Sequence, residues 1–346
     1  MSHQLPASIV KMQLKYDLIG KDSQRGITLS YGWLANQCGH CMLGFIPTHL
    51  VYLLLKNVFH VKGASWIAAI AIAICWTGFE IYNVVKPLKK QKLEGALFEP
   101  DWKNIIYDTA TDLGFFAIGA FLAGVLLGFN WYLLIGLLLI GFLLYNASKW
   151  WYHTKIYQQA SEYPFQFRLS QWNWFMNDAN RQTVLSYLTK PKGGYHLLIS
   201  GAYKTGKTSL GVAIANEWSI QHRTCKYATA MKLFSWMIEP NSTMPAVPGN
   251  IWNWREADTL VIDDLNTGLT HSGELISPAV FMQHLNGGNY TAENIQAFNN
   301  LNTIWVLGEV NAVSAHTLQN SWQQILLQMG IPEEKITMIN LNHQTN

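Results

Sequence analysis

Eight residues near the middle of this 346-residue chain carry a pattern suited to holding phosphate groups. The segment from Gly201 to Thr208 reads G-A-Y-K-T-G-K-T, which fits G-x-x-x-x-G-K-[ST] at every fixed position. Several phosphate oxygens need many N–H donors converging on one point, without a side chain in the way. Gly201 permits a tight exit from a strand, and Gly206 lets backbone N–H groups surround the anion. The spacing therefore predicts a phosphate-binding loop.

The side chains of this loop have separate expected roles. We expect Lys207 to reach the β- and γ-phosphates of a nucleotide and the Thr208 hydroxyl to ligate Mg²⁺. The helix that follows should point its positive N-terminal end at the phosphates. The predicted nucleotide-binding residues are Gly201, Ala202, Tyr203, Lys204, Thr205, Gly206, Lys207, Thr208 and Ser209.

Two adjacent carboxylates follow a later apolar run. Residues 258–265 read D-T-L-V-I-D-D-L, which is typical of a buried strand that ends at Asp263 and Asp264. We expect Asp263 to hold Mg²⁺ together with Thr208. We expect Asp264 to orient or deprotonate the attacking water in phosphoryl transfer. A cap on a turn at the strand end is the alternative interpretation of the pair.

Strand and helix patterns alternate around both motifs. Prolines and glycines separate the segments, as at Ser277-Pro278, where a helix is expected to start. Alternation of this kind predicts an α/β domain with a mostly parallel five-stranded sheet covered on both faces. The five predicted strands are residues 195–200, 224–229, 258–263, 303–308 and 335–340.

Together the two motifs resemble the ASCE branch of the P-loop ATPases. The sequence V-I-D-D-L at residues 261–265, after LLISG-x-x-x-TGKT at 197–208, looks most like AAA+-related replication initiators, helicase loaders and transposase helpers. The resemblance covers roughly residues 180–312 and implies ATP and Mg²⁺ as cofactors. It also implies a polar residue after the fourth strand that senses the γ-phosphate and acts in catalysis. Glu309 and Asn311 are the candidates, and Asn311 is the residue we assign.

Ring-forming relatives supply an arginine finger to the neighbouring subunit. After Arg255 this chain has no arginine, and Lys335 is its only cation there. The resemblance therefore implies that Arg181, Arg223 or Arg255 reaches a neighbouring site, or that a partner protein supplies the arginine, which is the interpretation we favour.

Other classes of phosphate-loop protein lack their signatures here. An ABC transporter would carry LSGGQ before the second motif, whereas L-N-G-G-N at residues 285–289 follows it. A GTPase would show DxxG and NKxD, and a small-molecule kinase would have an arginine-rich lid. The sequence carries none of these.

The first half of the chain has the composition of a membrane domain. Charged residues make up only 13% of the chain and hydrophobic residues 49%, and the apolar excess lies before residue 148. The segment 113–147 is too long for one span and is expected to break at residues 129–131, where Asn130 lies. The predicted domains are a basic cytoplasmic tail (1–41), a transmembrane domain (42–147, spans near 42–59, 64–85, 113–129 and 131–147), an aromatic juxtamembrane linker (148–190) and a P-loop NTPase domain (191–346).

The distribution of lysine and arginine predicts the orientation of these spans. The tail before residue 42 carries four, the loop 86–112 carries five, and the opposite side carries Lys62 alone. The positive-inside rule then places both termini in the cytosol of a multi-pass integral membrane protein, most simply in a bacterial inner membrane. No early segment has the order of a cleavable signal peptide.

Two further features have simple interpretations. Aromatic residues between 148 and 190, among them Tyr157, Trp172 and Trp174, are expected to form an interfacial belt beside lipid, with nucleic-acid stacking as the alternative. The C-G-H-C sequence at Cys38 to Cys41 resembles a thiol redox site, but it has no βαβ pattern around it and too few ligands for zinc.

Charge and motifs together define the functional hypotheses. Residues 256–346 hold one basic residue against nine acidic ones, so nucleic acid is not expected at this acidic third. The first hypothesis is a membrane-anchored ATPase that powers or gates a larger membrane assembly in secretion, conjugation or a phage-related process. It would form a homo-oligomer or a membrane protein complex. The alternatives are a nucleotide-dependent switch or scaffold, and a membrane effector gated by the nucleotide-binding domain.

Overall fold

A computed structural model describes residues 5–19, 27–94, 97–240, 247–248, 250–265, 276–308 and 315–342. The chain divides into two compact units. One comprises residues 17–155, and the other comprises residues 1–16 together with 156–346. Both predicted candidates for the sensing residue after the fourth strand, Glu309 and Asn311, lie outside the described residues.

Helices make up the N-terminal region. Within the described residues, a short helix, α1 (Ala7–Ile19), precedes four helices that are long and apolar enough to cross a membrane. This confirms the prediction of about four candidate spans. The four helices are α2 (Leu29–Asn57), α3 (Ala64–Glu94), α4 (Trp102–Leu127) and α5 (Trp131–Ala160).

The predicted break in the long apolar segment is present. Helix α4 ends at Leu127 and α5 begins at Trp131. The Asn130 side chain accepts hydrogen bonds from the backbone N–H groups of Tyr132 and Leu133, at 2.8 and 3.3 Å, and so caps α5.

The first apolar helix starts earlier than the predicted span. Helix α2 begins at Leu29, inside the predicted tail, with the Thr28 hydroxyl accepting the N–H of Tyr31 at 3.1 Å as its N-cap. Polar residues in its first turns, among them Ser30 and Gln37, interrupt the apolar pattern, so the sequence did not indicate that the helix starts here. Both side chains are buried in the structure, so the helix is longer than its apolar segment.

Helices α2 and α4 pack closely because glycines lie at their contact. A Cβ atom built on Gly119 would overlap the carbonyl oxygen of Cys41, and one on Gly44 would overlap that of Phe116. Small residues allow two helix backbones to approach in this way, as is common between membrane helices. Ala120 and Ala123, further along α4, are fully buried.

We expect Gly119→Ala to destabilise the helical unit by about 1 to 3 kcal/mol, since the added methyl group must push two backbones apart. The matched control is Gly141→Ala on α5, where an added Cβ has no atom within 4 Å. Thermal unfolding in detergent compares the two variants with the parent. Equal stability of all three proteins would contradict the close approach of α2 and α4.

The second unit contains a five-stranded sheet in which every pair of neighbours is parallel. This confirms the predicted α/β fold. The strands are β1 (His196–Gly201), β2 (Cys225–Thr229), β3 (Thr259–Asp263), β4 (Asn302–Gly308) and β5 (Ile336–Asn340), in the order β2-β3-β4-β1-β5. The helices of this unit are α6 (Asp178–Leu188), α7 (Lys207–Ile220), α8 (Ala230–Met237), α9 (Pro278–Asn286), α10 (Thr291–Asn300) and α11 (Ala315–Gln328).

The strand order determines which chain segments meet at the carboxyl edge of the sheet. Strand β4 lies between β1 and β3, with Gly201 beside Gly308 and Ile262 beside Trp305. In parallel strands the carboxyl ends meet at one edge, so the loop after β1 and the residues that end β3 face each other there. Ligands bind at such edges in open α/β sheets.

Apolar side chains cover both faces of the sheet. On one face, α7 lies against the central strands, and a Cβ built on Gly211 would be 3.2 Å from Val306. On the other, the buried rings of Phe281, Phe298, Trp305 and Trp322 form one aromatic cluster, with centroids 5.2 to 6.0 Å apart.

A histidine joins β1 to this aromatic cluster. The ring of His196 accepts a hydrogen bond at Nδ1 from the Trp305 indole N–H, at 3.0 Å, so its Nε2 donates to the carbonyl oxygen of Phe298, at 3.1 Å. Burial lowers the pKa of His196 to about 3. The ring is therefore neutral at physiological pH.

We expect His196 to make the folded unit sensitive to acid. The unfolded chain binds the proton below about pH 6.5, whereas the folded chain resists it until about pH 3. The neutral His196 ring therefore makes its full contribution to folding stability above about pH 6.5. That contribution is lost progressively as the pH falls from about 6.5 towards about 3. From about pH 7.5 to about pH 5 the loss is about 2 kcal/mol.

The measurement is thermal unfolding of the full chain in detergent at these two pH values. The control is His196→Gln, whose amide can accept from Trp305 and donate to Phe298 without titrating. A parent that loses no more stability in acid than this variant would contradict the prediction.

Candidate functional site

The predicted phosphate loop connects β1 to α7. All six residues of β1 are buried, and α7 begins at Lys207, directly after Gly206. Gly206 has φ of 86°, a conformation that residues with a Cβ adopt only under strain. A Cβ there would also lie 2.9 Å from the rings of both Trp172 and Trp174. This position therefore requires glycine for two separate reasons.

Lys207 and Thr208 point towards the carboxyl edge of the sheet. The Lys207 ammonium donates to the carbonyl oxygen of Ala202 at 2.5 Å, so its side chain curls over the loop. The Thr208 hydroxyl donates to Oδ1 of Asp263 at 3.2 Å. The structure therefore brings together the two residues that the sequence proposes as magnesium ligands.

Asp263 and Asp264 end β3 in different conformations. Asp263 is the last residue of the strand and is buried, with 4% of its surface exposed. Asp264 has φ of 55°, in the left-handed region that Asp and Asn tolerate better than most residues. Its backbone N–H donates to Oδ1 of Asp263 at 2.9 Å. Partial burial, and then the charge of Asp263, raise the pKa of the Asp264 carboxyl.

One cavity of about 570 Å³ connects the two motifs. From the predicted set, its lining includes Tyr203, Lys204, Gly206, Lys207, Thr208, Ser209, Asp263 and Asp264. Trp174 and Val306 also line it. Gly201 ends β1, and Ala202 and Thr205 follow in the loop, where the Thr205 hydroxyl donates to the carbonyl oxygen of Ala202 at 2.9 Å. The cavity is large enough for a small-molecule ligand.

Two residues that the sequence did not single out contact this site, and so does Trp174, which was predicted to lie in the interfacial belt. The Tyr227 hydroxyl donates to Oδ2 of Asp263 at 2.8 Å, and the side chain of Asn342 accepts the backbone N–H of Ala202 at 2.6 Å. Trp174 lies against Gly206. The pairing of β2 with β3 could have pointed to Tyr227, whereas no residue pattern marks Asn342. The aromatic pattern marked Trp174 for a different role, beside lipid.

The part of the aromatic segment after residue 155 packs within the second unit. Tyr157 and Trp172 are only 1% and 4% exposed, and Tyr157 stacks on His222 with ring centroids 5.0 Å apart. The prediction of an interfacial belt is wrong for these two residues, because their rings have no surface left for lipid. Phe165 and Phe175 of the same segment are exposed.

The arginines considered for a finger differ in their contacts. Arg255 donates to the side chain of Asn294 at 2.9 Å and to three backbone carbonyl groups. Arg223 donates to the carbonyl oxygen of Lys190 at 3.1 Å and lies over the Trp218 ring. The Nε of Arg181, on α6, is buried and has no hydrogen-bond partner among the residues that the structure describes. Arg223 and Arg255 therefore form hydrogen bonds within their own domain.

The C-G-H-C segment lies in the middle of α2. Cys38 and Cys41 are both free thiols, and Nδ1 of His40 lies 3.1 Å from Oδ1 of Asp112 of α4. In the described part of the chain, no group of three or more His, Cys, Asp and Glu side chains is placed to hold a metal ion. These contacts place His40 of the segment against α4.

Comparison with known proteins finds matches among solved structures. No protein-family model matches the chain, and no curated protein matches it. Among solved structures, a crystal structure of DnaI overlaps 51% of this chain and 88% of its own chain, at 17% sequence identity and a TM-score of 0.31. An overlap this loose does not establish a shared function.

Proposed function

We propose that this protein is a membrane-anchored ATPase, and that its nucleotide cycle powers or gates a larger membrane assembly in secretion, conjugation or a phage-related process. The observation that carries the proposal is the convergence of Lys207, Thr208, Asp263 and Asp264 on one cavity at the carboxyl edge of a parallel sheet. Phosphoryl transfer depends mainly on positioning and charge stabilisation, and these four residues supply both.

The residues at the site fit a magnesium ion. Mg²⁺ prefers oxygen ligands and usually takes one or two from the protein, with the rest from phosphates and water. The Thr208 hydroxyl and the Asp263 carboxylate are such ligands, and their oxygens lie 3.2 Å apart. When bound, the ion would neutralise developing charge on the phosphates. Lys207 would bind the terminal phosphates, and Asp264 would hold a water molecule and accept its proton.

Trp174 is the residue that we propose to contact the base of the nucleotide. Trp174 lines the cavity beside the loop, and an aromatic ring there can stack on a nucleobase. We assign ATP rather than GTP because the sequence lacks DxxG and NKxD. A γ-phosphate-sensing role for Asn311 is part of the same proposal.

The membrane part of the proposal rests on four candidate spans and on the distribution of lysine. It places the protein in a membrane, most simply a bacterial inner membrane, with both termini cytosolic. Contact with lipid and assembly into a homo-oligomer or a membrane complex follow from this placement. An externally accessible N-terminal tag on sealed cells would contradict the orientation.

Phosphate release during multiple turnovers tests the enzymatic proposal. The full-length protein in detergent or nanodiscs should release phosphate from Mg·ATP continuously, and Lys207→Ala should not. If the parent and the variant release phosphate at equal rates, the activity comes from a contaminant, and the assignment of Lys207 to a nucleotide site is wrong.

A nucleotide-dependent switch with little turnover is the second candidate. The observation that favours it is that Arg223 and Arg255 are bonded within their own domain, which leaves Arg181 as the remaining internal candidate for a finger. An arginine supplied in trans is worth about 10³ to 10⁵ in rate. If the purified protein binds ATP but releases no phosphate over multiple turnovers, the switch is the better description. Slow release that a partner with an exposed arginine accelerates would instead support an ATPase whose finger is supplied in trans.

A further inference from the structure

Tyr227 lies beside the carboxylate assigned to magnesium. It is on β2, which pairs with β3 in a parallel register that places Tyr227 beside Val261 and Thr229 beside Asp263. The Tyr227 side chain extends along the sheet and its hydroxyl donates to Oδ2 of Asp263 at 2.8 Å. A tyrosine hydroxyl is a donor at neutral pH, and the carboxylate is an acceptor.

The two oxygens of Asp263 have different partners. Among the described residues, the Tyr227 hydroxyl is the only group that donates a hydrogen bond to Oδ2. Oδ1 accepts from the Thr208 hydroxyl at 3.2 Å and from the backbone N–H of Asp264 at 2.9 Å. The bond from Tyr227 therefore fixes the rotation of the carboxylate and keeps Oδ1 facing Thr208.

The backbone of Tyr227 is itself held on both sides. Strand β2 is an edge strand, and β3 pairs with it on one side. On its open side, the N–H of Tyr227 donates to the carbonyl oxygen of Ser161 at 2.8 Å. The neighbouring Lys226 donates to the carbonyl oxygen of Ala160 at 3.1 Å and to Glu162 at 2.7 Å. The phenol ring thus extends from a fixed strand rather than from a mobile edge.

We propose that Tyr227 is a positioning residue for the magnesium site, acting through the orientation of Asp263. This inference rests on the proposed function, which makes Thr208 and Asp263 the protein ligands. Residues that hydrogen-bond to metal ligands orient them, and their loss typically lowers metal affinity by about 10- to 100-fold. Without its hydroxyl partner, Asp263 could rotate Oδ1 away from Thr208.

The test compares Tyr227→Phe with a matched loss of a hydroxyl elsewhere. Tyr163→Phe is the control, because the Tyr163 hydroxyl lies 2.8 Å from that of Ser219 and, among the described residues, makes no hydrogen bond to the phosphate loop. Each full-length protein binds mant-ATP in detergent, first with EDTA and then across a Mg²⁺ titration. We expect the Mg²⁺ concentration for half-maximal binding to rise at least about tenfold in Tyr227→Phe only. Its metal-free affinity and thermal stability should match the parent.

The outcomes separate the inference from the proposed function. A parent that does not bind mant-ATP overturns both. A parent that binds with Mg²⁺, combined with an unchanged Mg²⁺ midpoint in Tyr227→Phe, overturns the inference alone. Equal weakening with and without Mg²⁺ would mean that Tyr227 supports the fold and not the metal, which also overturns it. If the phenylalanine variant does not fold, Tyr227→His is judged by the same midpoint.

Discussion

Replacement of Lys207 by alanine should weaken ATP binding at least about 30-fold, with little change in the fold. Loss of one partner from a hydrogen-bonded charge pair costs about 2 to 5 kcal/mol, and Lys207 is the loop's cation closest to the expected terminal phosphates. Its side chain is 8% exposed and its ammonium bonds to the loop carbonyl of Ala202. The alanine variant therefore loses a binding group and leaves β1 and the core intact.

The control is Lys190→Ala, which removes a cation of the same unit outside the cavity. The Lys190 ammonium lies over the Tyr195 ring, 4.9 Å from its centroid. Equilibrium binding of mant-ATP in the presence of Mg²⁺ compares both variants with the parent. If Lys207→Ala binds as tightly as Lys190→Ala, the phosphate loop is not the nucleotide site.

Asp264→Asn should keep Mg·ATP binding and lose about 10² to 10⁴ in turnover rate. An amide has the shape of the carboxylate but cannot accept the proton of the attacking water. Asn also tolerates the left-handed backbone that Asp264 adopts at φ of 55°, so the variant should not strain the end of β3. The effect is therefore expected on the rate and not on the fold.

The measurement is single-turnover hydrolysis, with Asp178→Asn as the control. Asp178 is an exposed acid in the first turn of α6 and does not line the cavity. Nearly equal rates for the parent and Asp264→Asn would remove Asp264 from its role. A loss of nucleotide binding in Asp264→Asn would instead make it a binding residue.

The parts of the fold that follow from local patterns were predictable. Apolar runs bounded by glycine and proline located the five strands within one or two residues. The serine before Pro278 caps α9 as expected, and its hydroxyl accepts the N–H of Val280 at 3.2 Å. The α/β architecture follows from the alternation of these segments.

Features that depend on tertiary contact were not predictable. Tyr227 has no sequence signal, because its role depends on strand β2 lying next to β3. Asn342 reaches Ala202 only because β5 lies next to β1. Trp172 was expected near lipid because the segment around it is rich in aromatic residues and follows the last predicted span, but it packs against Gly206. A single sequence does not distinguish a ring that faces lipid from one that faces a protein core.

The start of α2 illustrates a different limit. A span is recognised by its apolar length, whereas the helix that contains it can extend through polar residues once these are buried. Ser30 illustrates this: its hydroxyl donates to the carboxylate of Asp17 at 2.6 Å, so the first turn of α2 satisfies its polar groups within the protein.

Conversion of γ-labelled ATP by an excess of the full-length protein, with Mg²⁺, tests the central claim most directly. In this single-turnover measurement, neither product release nor a missing partner prevents detection of hydrolysis at the site. The proposed function predicts that ATP binds and that the parent converts it to ADP and phosphate, whereas Asp264→Asn binds it and leaves it intact. ATP that stays unbound, or that stays bound and unhydrolysed by the parent for hours, would contradict the assignment of this protein as an ATPase.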